Sequence, residues 1–118
     1  MARTLCTHRR FSISLTSPCV SAAQLISLRR HLIAWRDPSS QVWIHVDADV
    51  LDPSVLPAVD SPEPDGLLLD ELAELLSPLA RHEKALGLEV TIYDPKLDPD
   101  RASAARLATL LERALGGD

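Results

Sequence analysis

The chain has 118 residues, 46% hydrophobic and 25% charged, a balance that suits one globular domain near the small end of what builds a good core. Aromatic residues make up only 3%, so the core must come from Leu, Val, Ile and Ala, and no apolar run is long enough to cross a bilayer. The net charge of −5 divides unevenly: residues 1–36 hold six arginines and no acid, whereas residues 37–118 hold all 17 acids. An acidic body with no aromatic platform among its arginines argues against a nucleic-acid partner, and nothing points to a membrane.

Residues 1–20 are Arg- and Ser-rich and acid-free, and are read as a basic, disordered segment ahead of a domain over 21–118. The same composition occurs in transit peptides, but no amphipathic period accompanies it. Cys6 and Cys19 lack metal-ligand spacing, and a reduced, cytoplasmic chain is the expectation. From Ser21, "SAAQLISLRRHLIAW" sets Leu25, Leu28, Leu32 and Trp35 at helical spacing, with Ser21 and Gln24 as a capping box. Asp37-Pro38 ends it. "QVWIHV" at 41–46 is β-branched and aromatic and predicts a buried strand, with Trp43 as a core anchor.

Residues 49–66 follow as a long loop with four prolines, Pro53, Pro57, Pro62 and Pro64, which exclude a regular element. Asp70 is placed to cap a helix over "ELAELLSPLARH", which Pro78 is expected to cut short. A second strand is predicted at about 86–93, closed by Asp94-Pro95. A last helix over "RASAARLATLLERAL" stops at Gly116-Gly117. Strands alternating with helices predict right-handed crossovers and a parallel α/β sheet, and two strands with three helices are too few to close one.

The chemistry concentrates in "IHVDADVLDP", where Asp47, Asp49 and Asp52 follow an apolar strand. Functional groups of parallel α/β folds collect beyond the carboxyl ends of the strands. Alternation predicts Asp47 and Asp49 on one side while the backbone stays extended, and two close carboxylates call for a cation. An oxygen-rich site suits magnesium, manganese or calcium. The plainer reading has Asp49 or Asp52 capping a turn and Asp47 solvated. An EF-hand is excluded, because Leu51 and Asp52 stand where it needs an oxygen ligand and a glycine. Haloacid-dehalogenase-type phosphatases also use an Asp-x-Asp motif, but the fifth residue here is Leu51 and no later acidic pair follows. A nucleotide-sugar transferase has nothing else to support it.

The wider spacing is more specific. "VDADVLDPSVLPAVDSPEPDGL" resembles the Asp-x-Asp signature loop of the ureohydrolase family (arginase, agmatinase, formimidoylglutamase), with Pro53, Pro57 and Gly66 in place. The likeness continues through "GLEVTIYDPKLDPD" into the last helix, over roughly residues 24–115. The resemblance implies the C-terminal βαβα portion of a three-layer, parallel-sheet arginase-like fold. It implies hydrolysis of guanidinium or linear amidine C–N bonds with a manganese pair that activates water, on a small guanidino or amidine substrate. It makes Asp47 and Asp49 metal ligands, and Asp52 a structural residue that fixes the loop.

Three departures bear on activity. His45 replaces the usual Ser or Thr and is read as a residue beside the metal site rather than a ligand. Ile92 stands where guanidinium-cleaving members carry a glutamate; Glu89, three residues earlier, by strand parity faces the other way and would bind substrate in its place only if the strand is bulged or the register differs. The family's Gly-Gly-Asp-His and Asp-x-His-x-Asp segments do not occur, so the chain reads as an incomplete family site, whether a truncated gene, a fragment or a split subunit; a homo-oligomer or a partner chain supplying the missing ligands is one expectation. The alternative is a non-catalytic structural or interaction domain that keeps the fold.

Overall fold

The computed structural model describes residues 9–15, as backbone, and residues 40–116. Three strands, β1 (Arg9–Leu15), β2 (Ser40–Asp47) and β3 (Ala85–Thr91), form a parallel sheet in the order β1-β2-β3. Two helices, α1 (Leu69–Ala80) and α2 (Ala102–Leu115), complete the described elements, with 3-10 turns at Ala48–Val50 and Pro95–Leu97. The helix predicted over 21–35 and the residues Trp35, Cys6 and Cys19 lie outside the described residues.

Strand β2 shows how the sequence sorts its faces. Val42, Ile44 and Val46 are buried and join one core with Leu72, Leu76 and Leu79 of α1 and Leu107, Leu110 and Ala114 of α2. The alternate residues Trp43, His45 and Asp47 point to the opposite face, which no described helix covers. Trp43 is therefore not the core anchor expected of it. It is 42% exposed and lies over Gly87 of β3, where a Cβ would come within 2.6 Å of its ring.

Residues 1–20 were expected to lack regular structure, yet Arg9–Leu15 pairs along β2 from Arg9–Ser40 to Leu15–Val46. The signal was present: "RFSISL" alternates polar and apolar residues with period two, and the Arg9-Arg10 pair at the start of the strand concealed it. Helix α1 begins at Leu69 rather than at an Asp70 cap. The Glu71 carboxylate accepts from the Leu68 N–H at 2.8 Å, and Asp70 instead pairs with Arg113 of α2. Pro78 sits in the last turn, where it removes one N–H without stopping the helix before Ala80.

The first turn of α2 takes its anchor from outside the helix. Asp98, 5% exposed, accepts from the N–H groups of Ser103 (3.0 Å) and Ala104 (2.9 Å) and from the Tyr93 hydroxyl (2.7 Å). Burial pushes the Asp98 carboxyl up, but these donors outweigh it and hold it below the ordinary value. This contact locks α2 to the end of β3.

Candidate functional site at the end of the second strand

The site sits at the C-terminal end of β2, where the proline-rich loop begins. The strand ends at Asp47 and the backbone turns at once into the 3-10 turn Ala48–Val50. Alternation therefore stops at Asp47, and the turn, rather than the pleat, positions Asp49. Asp49 is half-buried, with its Oδ1 atom fully buried.

The loop beyond is held shut by Asp52. Its Oδ1 accepts from the Ser54 N–H at 2.9 Å and its Oδ2 from the Gly66 N–H at 3.2 Å; the Ser54 hydroxyl first, and then these N–H groups, keep its carboxyl below the ordinary value. This is the loop-fixing part the sequence assigned to it. Two backbone hydrogen bonds of 2.8 Å, Asp52 N–H to Leu67 and Leu67 N–H to Val50, zip the loop's two ends together. Gly66 is required there by crowding rather than by its dihedrals. A Cβ would lie 2.5 Å from the Asp52 nitrogen and 2.8 Å from the Val50 oxygen, while the positive φ of 62° belongs to Asp65.

Asp47 is the centre of a side-chain chain that spans both strands. His45 pairs with Glu89, and Asp47 with Thr91, as cross-strand neighbours. His45 Nδ1 donates to Glu89 Oε1 at 2.7 Å and Nε2 to Asp47 Oδ1 at 2.6 Å, while the Thr91 hydroxyl donates to the same Asp47 Oδ1 at 2.6 Å. Two carboxylates on one imidazole favour its charged form. The Glu89 hydrogen bond raises the His45 pKa above 6.5, partial burial opposes it, and Asp47 adds to the rise. His45 and the Trp43 indole together hold the Glu89 carboxyl below 4.5.

Glu89 thus shares the face of His45 and Asp47, contrary to the parity argument that turned it away. That argument counted back from Ile92, but β3 ends at Thr91 and Ile92 has a φ of 74°, so alternation does not run through it. Ile92 itself is 41% exposed. The sequence reading did not single out Thr91. Its place two residues after Glu89 on one strand face was the available signal.

Metal chemistry would fall on Asp47 and Asp49. Among the described residues, both donors to Asp47 reach Oδ1 and none reaches Oδ2. The donor set therefore fits a hard divalent cation at this end of the strand, but no group of three or more His, Cys, Asp or Glu gathers among the described residues to close a coordination sphere.

Residues 19–116 match the family model described as the arginase family. The chain belongs to the arginase family. It is 35% identical over 82 residues to formimidoylglutamase of Bacillus subtilis (strain 168), covering 70% of this chain and 26% of that protein. It is 31% identical over 104 residues to the N(omega)-hydroxy-L-arginine amidinohydrolase of Streptomyces lavendulae, covering 88% of this chain and 34% of that protein. The crystal structure of formimidoylglutamase from Bacillus subtilis superposes with a TM-score of 0.66 at 32% identity, over 78% of this chain and 29% of that one. The arginase-like α/β fold read from the sequence is thereby established, and the chain spans about a third or less of these relatives. No helix among the described residues is long and apolar enough to cross a membrane.

Proposed function

We propose that this arginase-family chain carries one wall of a manganese-dependent hydrolase site for C–N bonds in small guanidino or linear amidino compounds. Asp47 and Asp49 are the ligands it contributes. The observation that carries this is the Asp47-x-Asp49 pair at the carboxyl end of a parallel strand, with the loop beyond it fixed by Asp52 and Gly66. Bound manganese supplies Lewis acidity and activates water. The chain's own residues fix the ligands: the His45–Thr91 grip holds Asp47, and the 3-10 turn holds Asp49. Further ligands come from polypeptide outside the segment of the family that these residues span. A cytoplasmic location fits the reading.

Ile92 presents an exposed apolar side chain beside Thr91, so the reading does not extend to arginine as substrate. The same Ile92, standing where the resemblance places a glutamate, favours a second reading, a domain that keeps the fold and has lost the chemistry. An assay of urea, ammonia or amide release from a panel of guanidino and amidino acids, with and without manganese, separates the two. Manganese-dependent release that disappears in Asp47→Asn supports the hydrolase. No release from any member when the family segments that this chain does not span are supplied with it supports the second reading.

A further inference from the structure

We propose that Thr91 and the Glu89–His45 pair are positioning residues that turn the Asp47 carboxylate so that Oδ2 is the atom presented to a divalent cation. The inference rests on the metal reading above and centres on His45, a residue in which this chain departs from the signature it resembles. A carboxylate oxygen has two in-plane lone pairs. Asp47 Oδ1 receives His45 Nε2 and the Thr91 hydroxyl at 2.6 Å each, which occupies both. Among the described residues Oδ2 receives no donor.

The grip is rigid because its parts are strand residues. His45 stands opposite Glu89, and Asp47 opposite Thr91, on neighbouring rungs of one parallel ladder. Glu89 clamps the far side of the imidazole at 2.7 Å, so the ring cannot swing without breaking a hydrogen bond at each end. A serine or threonine at position 45 is too short to reach both carboxylates. The imidazole is long enough to join them, and this gives Glu89 a part in the site although it does not touch Asp47. Rotating the Asp47 carboxylate to offer Oδ1 would break two short hydrogen bonds at once. Its orientation is therefore set before a cation arrives.

The test is manganese(II) titration of the whole chain by calorimetry, comparing wild type with Thr91→Val, Thr91→Ser, Glu89→Ala and Asp47→Asn. Far-UV circular dichroism confirms that each variant is folded. The expected result is Asp47-dependent binding that weakens about 10–100-fold in Thr91→Val and in Glu89→Ala, which removes the acceptor for His45 Nδ1. Thr91→Ser, which keeps the hydroxyl, should match wild type. Asp47-dependent binding of equal or greater strength in both Thr91→Val and Glu89→Ala would overturn the positioning role and leave the metal site standing. Absence of any Asp47-dependent binding in wild type would overturn both.

Discussion

Replacing Gly66 by alanine tests whether the aspartate loop is held as tightly as its geometry requires. The new Cβ would lie 2.5 Å from the Asp52 nitrogen, 2.7 Å from the Leu51 carbonyl carbon and 2.8 Å from the Val50 oxygen. Every one of these is a backbone atom, so no side chain can swing aside. Reaching a tolerable contact needs residues 50–52 to move by roughly half an ångström, a cost of about 1–3 kcal/mol for overpacking. The same movement stretches the two 2.8 Å hydrogen bonds that join residues 50 and 52 to Leu67, each worth about 1 kcal/mol. Together the loss is about 2–4 kcal/mol, a large part of the stability of a small domain. Gly87→Ala is the matched control. Its Cβ would meet the Trp43 ring at 2.6 Å, but that contact is with the outer edge of a 42% exposed side chain rather than with backbone, so the expected loss is about 1 kcal/mol or less. Urea unfolding followed by circular dichroism reads both variants. A Gly66→Ala protein within about 0.5 kcal/mol of wild type, or two variants equally destabilised, would refute the crowding argument.

Other outcomes follow from the same physics. Ile92→Gly should stabilise the chain by about 1 kcal/mol, because the native φ of 74° is strained for a β-branched residue and its exposed side chain gives up little burial; a higher urea midpoint is the readout. Leu72→Ala removes a fully buried α1 side chain and should cost about 2–5 kcal/mol, measured the same way. The His45–Glu89 pair should give a stability window in pH. The folded His45 pKa is raised, so its contribution is complete below 6.5 and is lost as pH rises through the folded value. The folded Glu89 pKa is lowered, so its contribution is complete above 4.5 and is lost as pH falls through the folded value. Unfolding midpoints across pH 4–9 should therefore show an alkaline decline that His45→Gln abolishes. A His45→Gln profile that keeps the decline assigns it to other groups.

Much of this arrangement was legible in the sequence because the residues concerned obey local rules. The β2 run is β-branched and aromatic, the proline-rich loop could be nothing else, and α2 carries its apolar residues at helical spacing before Gly116. The pair proposed as metal ligands was singled out by Asp47-x-Asp49 and the spacing of Pro53, Pro57 and Gly66. What the sequence concealed depends on where strands end and which of them are neighbours. Parity turned Glu89 away from the site because it was carried through Ile92, a residue that leaves the strand with positive φ. It also set Asp49 beside Asp47 on an extended backbone that in fact turns after Asp47. The His45–Glu89 and Asp47–Thr91 pairs join residues 44 positions apart, and only the register of two parallel strands brings them together. The anchoring of α2 by Asp98 was missed for a different reason, since the carboxylate acts from outside the helix it holds.

The central claim is that the end of β2 is a metal-ligand site, and manganese anomalous scattering from crystals of the chain soaked in manganese(II) tests it most directly. The account predicts an anomalous peak within coordination distance of Asp47 Oδ2 and the Asp49 carboxylate, absent from Asp47→Asn crystals. Ordered aspartates with no peak between them, or a peak that survives in Asp47→Asn, would contradict it.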